Sequence, residues 1–221
     1  MRTERKTPIL PIGVAGVALT AALALMTPAR AEAPSEPACK ADCVQVLVNG
    51  LHLSIPRPFF AYPPKEDGSD QGIFLQALLP DLVPATQSNQ LAVPSEVWGH
   101  GWGPMLNLLI GGLRGATMES TFKARLRGAT IDGPHAEWDG LETVTSDDRY
   151  QRHDGLVLRE GNELKLIIAC DMAGTVNFPS CSEFFFYQKS LVKLTFGRSH
   201  LAEWRQIRDH AIALINRLTV P

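Results

Sequence analysis

An α+β fold built on an antiparallel sheet is predicted for this chain from three patterns in its sequence. A hairpin pattern occupies residues 44–56. Four strand-like runs follow one another between residues 156 and 196, and an amphipathic segment closes the chain. Together they predict an N-terminal hairpin and a C-terminal four-strand meander, with a C-terminal amphipathic helix packed on the sheet.

Residues 1–31 have the pattern of a signal peptide. Three basic residues precede an apolar stretch at 9–26, and the sequence ARA at 29–31 supplies the small residues of a cleavage site. Cleavage after Ala31 would leave residues 32–221 as a single α+β domain, periplasmic or secreted. An uncleaved N-terminal anchor is the alternative, because the apolar stretch approaches the roughly 18 residues of a minimal membrane span.

The charge of the predicted domain gives no reason to expect nucleic acid or anionic lipid as a partner. Removing the leader takes four basic residues and one acidic residue with it, which moves the formal net charge from −2 to −5. A mildly acidic domain lacks the basic surface that nucleic acid and anionic membranes attract. No later segment is long and apolar enough to span a bilayer, so no membrane insertion is expected after leader removal.

The four cysteines predict a disulfide framework, since an exported domain meets an oxidising compartment. Their spacing favours Cys39 with Cys43 and Cys170 with Cys181, and long-range cross-pairing is the alternative. The second pair would clamp the loop CDMAGTVNFPSC between two strands. A zinc site needs about four closely spaced Cys or His ligands. Neither cysteine pair has a histidine pair nearby, so no metal and no cofactor is expected.

The stretch VQVLVNGLHLSIP at 44–56 predicts a tight hairpin. Asn49 and Gly50 suit a type I′ turn, in which both central residues need positive φ. This turn sets position 48 opposite 51, 46 opposite 53 and 44 opposite 55. All six positions hold Val, Leu or Ile, so one face of the hairpin is predicted to be apolar.

Residues 57–155 carry mixed patterns. Polar loops at 57–72 and 131–155 surround candidate short strands at 73–79 and 141–145. In MESTFKARLR (118–127) apolar and polar residues alternate strictly, but Met118 and Phe122 also begin a repeat of every four residues. The β-rich surroundings of this segment favour a strand over a helix.

Between residues 97 and 115 the chain combines glycines with two tryptophans. The stretch VWGHGWGPMLNLLIGGLRG matches neither of the glycine motifs that bind phosphate. Trp98, His100 and Trp102 are candidate binding residues, since aromatic anchors are enriched at recognition surfaces. The alternative is a glycine-bent loop that tucks both tryptophans into the core.

The C-terminal region is predicted to form the meander and the closing helix. The runs LVLRE, ELKLIIA, EFFFYQ and LVKLTF predict four antiparallel strands, with the cysteine loop joining their halves. A turn at 189–190 would put Phe185 on the face that meets a helix beginning after Ser199. Phe184 and Phe186 would lie on the other face and are candidate partner contacts. Their burial by the N-terminal half of the chain is the alternative.

The search for catalytic chemistry finds no G-x-S-x-G elbow and no H-E-x-x-H helix. The absence of motifs makes an enzyme the less favoured interpretation and leaves no residue assigned a catalytic role. It does not exclude an enzyme, because catalytic triads are assembled in space and leave no fixed order in the sequence.

The predicted function is therefore that of an exported, non-enzymatic envelope protein that binds another protein. The layout of a leader, a disulfide-bearing α+β domain and a closing helix is similar in outline to periplasmic immunity or inhibitor proteins of bacteria. This resemblance is one of architecture, and no motif carries it. Two alternatives stay open: a periplasmic hydrolase drawing on His100, His135 or His153 in the central loops, and a structural envelope module.

Overall fold

The described part of the chain forms two antiparallel sheets and four α-helices. The computed structural model describes residues 42–63, 72–99, 101–111, 115–138, 140–146 and 153–220. All of them belong to one compact unit, Glu36–Pro221. The predicted leader, its cleavage site and Cys39 lie outside the described residues and stay predictions.

The smaller sheet pairs β1 (Cys43–Val48) with β2 (Leu51–Pro56). The strands of the larger sheet are β3 (Gly72–Leu78), β4 (Val83–Pro84), β5 (Met105–Gly111), β6 (Ala129–Pro134), β7 (Glu142–Ser146), β8 (His153–Glu160), β9 (Glu163–Asp171), β10 (Ser180–Tyr187) and β11 (Ser190–Gly197). Within the described residues their order is β4-β3-β5-β11-β10-β9-β8-β7-β6, and all neighbours are antiparallel.

The helices are α1 (Gln87–Ala92), α2 (Ser95–Trp98), α3 (Met118–Arg125) and α4 (Trp204–Leu218), with 3-10 turns at Arg57–Phe59 and Arg198–Glu203. The closing helix therefore begins five residues later than Ser199, after a 3-10 turn. No helix in the described ranges is long and apolar enough to cross a membrane. The α+β fold, with its hairpin, meander and closing helix, is confirmed.

The N-terminal hairpin has the predicted register. Asn49 and Gly50 have φ of 49° and 84°, as a type I′ turn requires, and the pairs 48–51, 46–53 and 44–55 are all present. Five of the six apolar positions are buried and Val44 is half-buried. The backbone N–H of Val220 donates to the carbonyl oxygen of His52 at 3.0 Å. The hairpin is thus held beside the C-terminal end of α4.

The meander β8 to β11 is present, but the register of its last hairpin differs from the prediction. Phe185 lies opposite Val192 rather than Leu194. Tyr187 pairs with Ser190, so the turn is formed by Gln188 and Lys189, and Gln188 adopts a φ of 53°. The register moves by two positions, so every side chain stays on its predicted face.

The prediction of a strand at 118–127 is wrong, because α3 occupies this segment. Thr117 and Ser120 form a capping box: the Thr117 hydroxyl accepts from the Ser120 N–H at 3.0 Å, and Ser120 Oγ accepts from the Thr117 N–H at 2.8 Å. Two backbone N–H groups that a helix start leaves unpaired are thereby satisfied. The repeat of every four residues was the informative pattern here.

A central strand, β5, lies inside the stretch interpreted as a glycine-bent loop. Leu106, Leu108 and Ile110 alternate along it and are at most 1% exposed. Its neighbours are β3 and β11, which lie far away in sequence. It is paired on both sides, and Leu106, Leu108 and Ile110 face the larger apolar cluster, which explains why they are buried.

The large sheet has an apolar cluster on each face. On one face the strands, α4 and the hairpin enclose the larger cluster, in which Phe196 and Leu194 are fully buried. On the other face α3 covers a smaller cluster that includes Met118, Leu126 and Phe184. The helix and the hairpin thus cover one face of the sheet far more completely than α3 covers the other.

Candidate binding surface

A disulfide closes the loop between β9 and β10. Cys170 and Cys181 lie opposite each other in the two strands, with Cα atoms 3.9 Å apart, and their sulfur atoms are bonded. Closing a loop of this length stabilises a fold by about 3 kcal/mol, because it restricts the unfolded chain. Cys43 is also disulfide-bonded.

This closed loop exposes apolar side chains. Met172, Val176 and Phe178 are 39%, 46% and 62% exposed. Trp102 is hydrogen-bonded to this loop, and Trp98 packs against Gly103 in the same segment as Trp102. We call these five residues the clamped-loop surface. Contiguous exposed apolar groups of this kind mark interaction sites more often than isolated ones do.

Trp102 fastens the loop to the neighbouring segment. Its indole Nε1 donates a hydrogen bond to the carbonyl oxygen of Phe178 at 3.2 Å. On its other side, a Cβ placed on Gly197 would lie 2.9 Å from the Trp102 Cβ, so the strand end and the tryptophan are in close contact. The half-buried indole therefore links the ends of β5 and β11 to the clamped loop.

Two glycines allow the backbone to approach the aromatic rings. Gly101 has a φ of 99°, and a Cβ there would lie 2.5 Å from Cδ1 of Phe178. Gly103 has a φ of 54°, and a Cβ there would lie 2.6 Å from Cε3 of Trp98. Side chains at either position would clash and strain the backbone. His200 Nε2 donates to the carbonyl oxygen of Gly103 at 3.0 Å and fixes this segment to the turn before α4.

A polar network holds the base of the loop. The backbone N–H and hydroxyl of Ser180 both donate to Asp171 Oδ2, at 2.9 and 3.0 Å. The guanidinium of Arg198 donates to the Asp171 carbonyl oxygen and lies 2.5 Å from a carboxylate oxygen of Asp154. The Arg198 N–H donates to the carbonyl oxygen of Pro179 at 2.9 Å. These charge-assisted bonds fix both ends of the loop.

The described contacts of His135 and His153 are not those of a nucleophile and base pair. His153 Nδ1 lies 3.5 Å from Asp171 Oδ1, while the Ser180 hydroxyl bonds the other oxygen of the same carboxylate. The carboxylate therefore stands between the imidazole and the hydroxyl, whereas a catalytic triad requires the imidazole in the middle. His135 stacks on Trp138, with ring centroids 4.2 Å apart.

An S-x-x-K sequence at Ser120 and Lys123, which sequence reasoning missed, is also structural. The Ser120 hydroxyl is taken up by the backbone N–H and carbonyl oxygen of Thr117 at the start of α3. The acyl-enzyme motif needs the lysine beside the serine. No Ser120–Lys123 hydrogen bond is present. Among the described residues, no group of three or more His, Cys, Asp or Glu could hold a metal ion.

The predicted binding residues lie in different parts of the structure and differ in burial. Trp98 and Trp102 are half-buried members of the clamped-loop surface, and His100 lies outside the described residues. Phe184 is 2% exposed beneath α3, so the alternative of burial by another part of the chain holds for it. Phe186 is half-buried beside the same cluster. The two tryptophans thus lie in the segment that contacts the closed loop, whereas the two phenylalanines lie at the cluster under α3.

Sequence reasoning missed Phe178, the most exposed member of the surface. The available signal was the composition of the cysteine loop, where three large apolar residues stand among turn formers without any strand or helix period. The structure leaves all three of these side chains exposed.

Glu183 is a buried carboxylate under α4. It lies on β10 between Ile168 and Leu194, is 0% exposed, and neither carboxylate oxygen has a hydrogen-bond partner among the described residues. Desolvation raises the pKa of Glu183 to about 8, with Arg208 opposing the rise and Asp209 adding to it. At neutral pH this side chain is mostly protonated, which reduces the cost of its burial.

Comparison with known proteins identifies a fold. No family model and no curated protein matches the chain. An immunity protein of the Stenotrophomonas maltophilia type IV secretion system superposes with a TM-score of 0.59 at 16% identity, over 81% of this chain and 94% of that chain. The likeness is one of fold. The iron-regulated outer membrane lipoprotein FrpD of Neisseria meningitidis gives a TM-score of 0.48 at 12% identity, over 80% and 92%, and adds no argument.

Proposed function

We propose that this chain is an exported envelope protein that binds another protein through the clamped-loop surface, in the manner of an immunity or inhibitor protein. The observation that carries the proposal is the exposed apolar loop fixed by a disulfide, an indole hydrogen bond and the Asp171 network. A surface fixed before binding loses little conformational entropy on association. The shared fold with an immunity protein of a secretion system supports the same proposal.

Export is part of the proposal. The basic and apolar pattern of residues 1–31 and the cysteines support it, since structural disulfides persist in oxidising compartments. The mature chain would begin at Glu32. Intact-mass spectrometry of envelope material tests this, and a mass equal to that of the full chain would indicate an uncleaved anchor instead.

Photo-crosslinking in living cells tests the binding surface. A photoreactive phenylalanine analogue at Phe178 is compared with the same analogue at Leu47, which is 53% exposed on the hairpin. The hairpin contacts the C-terminal end of α4, whereas the clamped-loop surface contacts the turn before its N-terminal end. The 15 residues of α4 separate these ends by about 22 Å.

We expect a defined crosslinked protein with the analogue at position 178 and none at position 47. Equal crosslinking at both positions, or none at position 178, would contradict the proposed surface. The captured protein is then produced and exported to the envelope in cells that contain this chain and in cells that lack it. Growth arrest that this chain relieves identifies an immunity protein, and an enzyme activity that it blocks without growth arrest identifies an inhibitor.

A further inference from the structure

A cavity of about 210 Å³ lies on the α3 side of the large sheet, away from α4. Its apolar lining includes Leu109 from β5, Phe184 from β10 and Leu191 from β11. Two cationic side chains reach it, Arg125 from α3 and Lys193 from β11. Four elements of the fold therefore build one apolar cavity with two positive charges.

Within the described part of the chain, neither cation has an acidic partner. No carboxylate of a described residue forms an ion pair with Arg125 or Lys193, and both instead face the ring of Phe184, at 5.1 and 5.8 Å from its centroid. Two other cations of the described chain do have acidic partners: Arg159 lies 2.5 Å from Glu142, and Lys165 lies 2.7 Å from Glu163. Among the described residues, the cavity thus holds two cations side by side without a carboxylate between them.

The two charges repel each other at this site. Burial lowers the pKa of the half-buried Lys193, and the nearby Arg125 lowers it further. Cation–π contacts with Phe184 compensate for only part of the lost hydration. An anion placed beside both cations would remove the repulsion and supply charge-assisted hydrogen bonds.

We propose that this cavity binds a small organic anion with an apolar body and one carboxylate, such as a medium-chain fatty acid. The carboxylate lies between Arg125 and Lys193, and the apolar body lies against Leu109, Phe184 and Leu191. An apolar cavity of about 150 Å³ is enough for benzene, so this one accepts a ring or a short chain. The site is independent of the clamped-loop surface, and Phe178→Ser leaves it intact.

Calorimetric titration of the purified protein tests the proposal with three matched probes. Octanoate has the chain and the charge, 1-octanol has the chain alone, and acetate has the charge alone. We expect saturable one-to-one binding of octanoate, weaker binding of octanol and none of acetate. Absence of saturable octanoate binding would overturn the proposal.

Charge-removing variants separate the cavity from general electrostatics. Lys193→Gln removes one of the two cavity charges, and Lys123→Gln removes an equal charge from an exposed position on the same helix as Arg125. We expect Lys193→Gln to weaken octanoate binding about tenfold or more, as loss of a charged hydrogen bond does, and Lys123→Gln to change it less than twofold. Equal effects of the two substitutions would contradict the site.

A cavity-filling variant gives a second readout. Ala116 also lines the cavity, and Ala116→Phe fills it while keeping both cations. Circular dichroism under the conditions of the titration verifies that every variant is folded. We expect a folded Ala116→Phe protein to lose octanoate and octanol binding together, and retained octanoate binding would show that the ligand sits elsewhere.

Discussion

Phe196 under α4 and Phe178 in the clamped-loop surface are both apolar, but they differ in burial. Phe196 is fully buried between the sheet and α4, whereas Phe178 is 62% exposed. Phe196 is held by packing in the core, and burial of apolar surface is the main favourable contribution to folding. Phe178 lies in a loop that is held by a disulfide and hydrogen bonds, and its burial contributes little to stability. A loop that is held in place without burial supports the proposal that this surface contacts a partner.

The largest effect on stability is expected from substitution of the fully buried Phe196, and a much smaller one from substitution of the exposed Phe178. Phe196→Ala empties a core site and should lower the free energy of unfolding by about 3–5 kcal/mol. Phe178→Ala removes a ring that is mostly in water and should change it by less than about 0.5 kcal/mol. Urea denaturation of both variants measures the two values. Similar losses would show that Phe178 belongs to the core.

The buried carboxyl of Glu183 under α4 should make the stability of the protein depend on pH. Glu183 keeps its proton up to a pKa of about 8 in the folded protein, against an ordinary value of 4.5. Below pH 4.5 the carboxyl is protonated in both states. Between about 4.5 and 8 only the unfolded chain releases the proton, so the free energy of unfolding falls by about 1.4 kcal/mol per pH unit, and it levels off above 8.

Glu183→Gln should remove this fall, because its side chain does not titrate. Thermal and urea unfolding of both proteins between pH 5 and 8 measure the slope, and Glu160→Gln, at an exposed carboxylate, is the matched control. The control should keep the slope of the unaltered protein. A slope unchanged by Glu183→Gln would place the titrating group elsewhere.

The disulfide between Cys170 and Cys181 is expected to make a smaller, separate contribution to the free energy of unfolding. Replacing Cys170 and Cys181 together by alanine should lower the free energy of unfolding by about 3 kcal/mol, through the freedom restored to the unfolded chain. Non-reducing peptide mapping of the unaltered protein should recover the Cys170–Cys181 peptide. A peptide joining Cys43 to Cys181 would instead demonstrate the long-range pairing.

The parts of the fold that the sequence predicts are those decided by neighbouring residues. Asn49 and Gly50 define the turn of the first hairpin, so its register follows without tertiary information. The turn at Gln188 and Lys189 has no glycine or asparagine, so its position could be predicted only to within one residue. Alternation still assigned Phe184 and Phe185 to opposite faces correctly, since a register shift of two preserves the face.

The parts that resist prediction depend on distant segments. The strand β5 is buried between β3 and β11, and only that pairing distinguishes it from an apolar loop. The segment of α3 satisfied both strand and helix periods, and the capping pair Thr117 and Ser120 was the local signal that separates them. The aromatic loop was recognised through Trp98 and Trp102, but the contact with Phe178 joins residues 76 positions apart.

The most direct test of the clamped-loop surface as a binding site is the affinity of the crosslinked partner for two variants. Phe178→Ser and Leu47→Ser each remove one exposed apolar side chain, so both proteins should stay as stable as the unaltered one. Loss of an aromatic anchor from an interface costs about 2 kcal/mol or more, so Phe178→Ser should raise the Kd for that partner about thirtyfold, and Leu47→Ser should leave it unchanged. Equal Kd values for the two variants would contradict the account.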